Sequence, residues 1–125
     1  MRISKLLVGL ALLGAAVTTT TTEALSFDKA FGDHMVLQQA PSNAAVFGTF
    51  SNAPPLNAKV RVAVATVASS YIVDAVVHGN TWKALLRPTA SSGVSKVYTL
   101  TATCSGCAEG EVDAKVTDVV FGDVW

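Results

Sequence analysis

From Phe27 onward, apolar residues recur at every second position rather than every third or fourth, and this restricts the chain to strands. Val60, Val62 and Val64 alternate with Lys59, Arg61, Ala63 and Ala65. Successive side chains of a strand point to opposite faces, so three β-branched residues share one face and the two charges the other. Ser70 to His78 repeats the pattern, with Tyr71, Val73, Ala75 and Val77 on one side. Trp82, Ala84 and Leu86 alternate with Thr81 and Lys83, and Tyr98, Leu100, Ala102 and Cys104 with Val97, Thr99, Thr101 and Thr103. A last, less regular strand is expected from Val112 to Val120. His78-Gly79-Asn80 is a turn, because Gly and Asn accept positive φ at low cost. Pro88 ends a strand for want of an N–H, and the segments 52–57 and 91–93 have loop composition. Seven or so short strands, with no amphipathic helix among them, predict an all-β fold: an antiparallel β-sandwich, Ig-like or jelly-roll-like.

Residues 1–24 carry a different pattern. Arg2 and Lys5 precede an uncharged run from Leu6 to Val17, too short to cross a hydrocarbon layer of about 30 Å as a helix. A positive start, an apolar stretch and small residues make a secretory signal, with cleavage expected after Ala16 or after Ala24 and a low-complexity run at Thr18 to Thr22. The expected location is the secretory pathway, secreted or lysosomal/vacuolar, with no membrane association once the signal is removed. Nine basic residues balance nine acidic ones; loss of Arg2, Lys5 and Glu23 with the leader leaves seven and eight. No basic face is available for nucleic acid, which is excluded as a partner. A hydrophobic fraction of 50% against 14% charged residues excludes a disordered chain.

Chemistry-bearing patterns are sparse. Cys104 and Cys107 form Cys-Ser-Gly-Cys, which is half of a zinc ribbon, a redox dithiol, a pair of free thiols or a disulfide. No second cysteine pair exists, His34 and His78 do not fit finger spacing, and a redox site belongs at a strand-to-helix junction. For an exported chain the favoured assignment is a disulfide clipping a turn between strands. No Gly-x-Ser-x-Gly elbow marks a nucleophile, and His34 and His78 have no partner motif, so neither is assigned as a general base. Asp33, Asp74, Asp118 and Asp123 are scattered, with Asp33 and Asp123 read as turn hydrogen-bonders after glycine. No glycine-rich phosphate loop is present. Trp82, Trp125, Tyr71 and Tyr98 are the aromatic candidates for stacking on a sugar, although the register that Trp82 shares with Ala84 and Leu86 favours the core for it. No catalytic, cofactor-binding or metal-ligating residue is assigned.

Two blocks resemble the sialate O-acetylesterase family. The first is Phe31-Gly32-Asp33-His34-Met35-Val36-Leu37-Gln38-Gln39-Ala40-Pro41, followed by Val46-Phe47-Gly48. It is similar to the family's Asp-x-Met-Val-Leu-Gln opening, a Pro, and a Val-Trp-Gly. The second, Val116-Thr117-Asp118-Val119-Val120-Phe121-Gly122-Asp123-Val124-Trp125, is similar to its Asp-Val-Leu-x-Gly-Asp-Val-Trp block. Gly79-Asn80-Thr81-Trp82 through Leu86-x-Pro88 matches more loosely, and the three lie in the family's order. Phe47 stands where the family has Trp, Pro54-Pro55 where it favours a Pro-Gly turn, and Cys-Ser-Gly-Cys is not one of its hallmarks.

The resemblance implies a leader domain, residues 25–118, ahead of a flavodoxin-like α/β hydrolase domain whose first strand would begin within 119–125. In the family a Gly-Gln-Ser-Asn motif with the nucleophilic serine follows at once, and Asp and His partners lie far downstream. None has a counterpart here, and Ser42, Ser51 and Ser105 are not promoted in their place. The implied activity of the longer protein is removal of O-acetyl groups from sialic acids or related sugars, without a cofactor. A standalone glycan-binding or adhesion module is the alternative. The apolar tail Val119-Val120-Phe121-Gly122-Asp123-Val124-Trp125 is expected to be covered by a following domain.

Overall fold

In the computed structural model, residues 24–93, 95–107 and 113–124 are described. The expected leader, apart from Ala24, lies outside them, as do Trp125 and the expected strand start at Val112. Among the described residues there are nine strands and no helix: β1 (Leu25–Phe27), β2 (Val36–Gln38), β3 (Ala45–Phe50), β4 (Lys59–Ala65), β5 (Ser70–Asp74), β6 (Val76–His78), β7 (Thr81–Leu85), β8 (Tyr98–Ser105) and β9 (Ala114–Gly122). They form a four-stranded sheet, β1-β3-β7-β6, and a five-stranded sheet, β2-β9-β8-β4-β5.

The alternating residues supply a single core between the two sheets, the arrangement of a β-sandwich. Val46, Phe50, Trp82 and Ala84 contribute from the first sheet; Val60, Val62, Val64, Leu100, Ala102 and Phe121 from the second. Trp82 lies across Gly48, its register partner on β3. A Cβ at Gly48 would stand 2.8 Å from the Trp82 ring and overlap the Ser26 carbonyl, so only glycine allows this closeness. The hairpin β6–β7 turns at His78-Gly79-Asn80, with Gly79 at φ 61°, a conformation favoured by the absence of a Cβ.

Three expectations need correction. The sandwich is not wholly antiparallel, because β2 pairs with β9 in parallel. The run Ser70–His78 is not one strand: it breaks at Ala75, β5 joining β4 in the larger sheet and β6 joining β7 in the smaller. The Ala75 N–H donates to Val60 O at 2.9 Å across this corner, so the apolar alternation continues while the chain changes sheets. Finally, the boundary at 118/119 falls inside β9, where Val119 and Phe121 are buried in the sandwich core rather than awaiting a cover.

Candidate functional site

The two blocks that carry the family resemblance lie about 80 residues apart in sequence and side by side in space. The first supplies β2 and the turn before it, and the second supplies β9. Val36, Leu37 and Gln38 stand in register with Val120, Phe121 and Gly122. Val120 N–H donates to Met35 O at 3.1 Å, and Gln39 N–H to Gly122 O at 2.9 Å.

Beyond this short ladder, side chains extend the junction in both directions. Ahead of β2, the Asp33 carboxylate accepts the Thr117 N–H at 2.8 Å, while His34 N–H donates to Thr117 O at 3.0 Å. Both backbone groups of Thr117 are therefore held by adjacent residues of one turn. After β2, the Gln38 side-chain oxygen accepts the Val124 N–H at 3.2 Å, and Gln39 Nε2 donates to Asp123 Oδ1 at 2.8 Å. Asp33 and Asp123, read as local turn residues, instead tie positions 84 residues away. Ser92 continues the edge of β9: its N–H donates to Phe121 O at 2.9 Å and its hydroxyl accepts the Phe121 N–H at 3.0 Å.

The irregularity of β9 has a local cause. Tyr98 pairs with Val119 but Leu100 with Val116, so three steps on β9 oppose two on β8. This β-bulge lets Val116 and Val119, three apart, both face the core. Asp118 takes up the extra residue at φ 55°, and His34 opposite it lies at φ 69°. Their side chains meet at 3.3 Å, His34 Nδ1 to Asp118 Oδ2, with 76% and 52% of the side-chain surfaces exposed. An exposed pair of this kind contributes about 1 kcal/mol or less, so it trims the turn rather than holding it.

The other candidates do not converge on this junction. His78 lies on the β6–β7 turn of the other sheet, where its carbonyl accepts the Thr81 hydroxyl at 2.8 Å. Asp74 pairs with Arg61 at 3.1 Å on the exposed β4–β5 edge. Trp82 and Tyr98, only 1% and 8% exposed, are fixed by edge-to-face contacts with Phe27 and Phe121. Tyr71 is half-buried beneath the Arg87 guanidinium, 4.6 Å from its ring centre. Cys104 and Cys107 are joined in a disulfide that closes the turn after β8. Among the described residues no cluster of three or more His, Cys, Asp or Glu could hold a metal ion. The cross-linking roles of Gln38 and Gln39 went unread in the sequence, since nothing near either glutamine points to residues 122–124.

No protein-family model matches this chain, and no curated protein matches it.

Proposed function

We propose that this chain is the export signal and leader sandwich, Ig-like or jelly-roll-like, of a sialate O-acetylesterase-like carbohydrate esterase, and that it is not itself catalytic. The observation that carries the reading is the β2–β9 junction. Two stretches with the family's pattern, remote in sequence, are bonded as one unit through Asp33, Gln38 and Gln39. A structural joint gives a physical reason for both patterns to occur in one chain. In the intact protein a following hydrolase domain supplies the serine nucleophile, which attacks the acetyl carbonyl to form an acyl-enzyme that water then hydrolyses. Preorganised donors hold the oxyanion. The O-acetylated sugar binds in that domain, and the sandwich shapes one side of the cleft. The whole protein travels the secretory route to the cell exterior or to a lysosomal or vacuolar compartment.

The burial of Val119 and Phe121 assigns two of the final apolar residues to the sandwich itself, while Val124 stays exposed at 53%. The alternative, a standalone glycan-binding module, draws no support from Trp82 and Tyr98, whose rings are in the core. Acetyl-ester hydrolysis separates the possibilities. The purified 125-residue chain is expected to show no turnover of an acetyl ester reporter above buffer, and the longer product to release acetate from O-acetylated sialic acid. Serine-dependent turnover by the short chain alone, or an inert longer product, would refute the proposal.

A further inference from the structure

An outer strand of a sheet has backbone N–H and C=O groups on its far side with no neighbouring strand to bond. Among the described residues the outer strands are β1, β2, β5 and β6, and β5 is the longest, with five residues against three in each of the others. The hydrogen bonds flanking β5 fix which of its groups point outward. Thr66 N–H donates to Ser69 O at 2.8 Å before it, and Ala75 N–H to Val60 O at 2.9 Å after it. Bonded and non-bonded pairs alternate along an antiparallel ladder. Tyr71 and Val73 therefore bond inward to Val64 and Val62, while Ser70, Ile72 and Asp74 turn their N–H and C=O groups away from β4. The same three residues are exposed, Ile72 at 58%.

We propose that this edge joins two copies of the chain, their β5 strands running antiparallel about a two-fold axis at Ile72. Edges that stay single are protected by proline, lysine, a bulge or a cover. β5 contains neither proline nor lysine, its register with β4 is unbroken, and Asp74, its one charge, is already paired at 3.1 Å with Arg61 of the same sheet. The strand is also complementary to itself, which selects a second copy as its partner. An axis at Ile72 sets Ile72 opposite Ile72, and Ser70 opposite Asp74 of the other copy, so all three outward residues exchange backbone bonds. An axis at Tyr71 or at Val73 would take Asp74 or Ser70 out of the pairing. With the axis at Ile72 no like charges meet, and the Ser70 hydroxyl faces the Asp74 carboxylate as a donor. The two five-stranded sheets become one continuous sheet, and the two-fold closes the assembly at a dimer.

The test is sedimentation equilibrium of the purified chain over a range of concentrations. The mass is expected to rise to that of a dimer at concentrations on the order of 100 μM, because a single short edge makes an interface below the standard size. A monomer throughout, or growth past the dimer, overturns the proposal. Ile72→Lys, which sets two like charges across the axis, is expected to weaken association about tenfold or more. Its circular dichroism should not change, since Ile72 is exposed and its backbone groups are not used by the β4 ladder. Leu85→Lys, on an exposed position of the other sheet, is expected to leave association unchanged. Weakening there as large as at Ile72 would overturn the assignment to β5. Charge then reports the register. Ser70→Lys, opposite Asp74 of the other copy, is expected to tighten the dimer, and Ser70→Asp to weaken it, each by about threefold. The same effect from both would overturn the axis at Ile72.

Discussion

β4–β8 and β2–β9 are both backbone ladders of the same sheet, yet they are held by different forces. β4 and β8 match over seven consecutive register pairs, from Lys59 opposite Ser105 to Ala65 opposite Thr99, and Val60, Val62, Val64, Leu100 and Ala102 fill the core beneath them. β2 and β9 match over three, and the junction is completed by Asp33, Gln38 and Gln39 bonding to particular backbone or carboxylate atoms. Burial of apolar surface is non-directional and grows with area. Hydrogen bonds depend on position and angle, and the net gain from each is small. The first region therefore supplies stability, and the second sets where the two ends of the domain lie against each other.

Substitutions on the two sides of this contrast should differ in size. Leu100→Ala is expected to cost about 2–5 kcal/mol in urea unfolding, because a cavity opens in the core. Asp33→Ala is expected to cost about 1–2 kcal/mol, with faster hydrogen exchange at the Thr117 amide, while Asp33→Asn keeps an acceptor and most of the stability. A loss at Asp33 as large as that at Leu100 would break the contrast. His34→Ala is expected to be about 1 kcal/mol less stable than His34→Gly, since φ 69° suits glycine. Asp118→Asn, which removes the charge but tolerates the left-handed backbone, is expected to change stability by no more than about 0.5 kcal/mol. A larger effect there would assign the exposed His34–Asp118 pair a weight that its solvation argues against.

The same contrast explains what was legible in the sequence. Alternation at Val60, Val62 and Val64, and at Trp82, Ala84 and Leu86, marks inward faces because a pleat has a fixed period of two. The corner at Ala75 was hidden because Tyr71, Val73, Ala75 and Val77 keep that period while the chain passes between sheets, all four packing against one core. The bulge at Asp118 broke the period and made β9 look irregular, but the residue type did not reveal the cause. Asp33, Gln38 and Gln39 act on residues 84–86 positions away, and no local pattern encodes a partner at that distance. Val119 and Phe121 read as parts of an uncovered tail because their place on the inner face depends on pairing with β8 and β2, whereas Val124 beyond them is exposed.

The esterase-leader reading is tested most directly by sequencing the parent transcript past the Trp125 codon. The account predicts an open frame that encodes Gly-Gln-Ser within a few codons, joined to a hydrolase domain. A stop codon immediately after Trp125 in the mature transcript would contradict it.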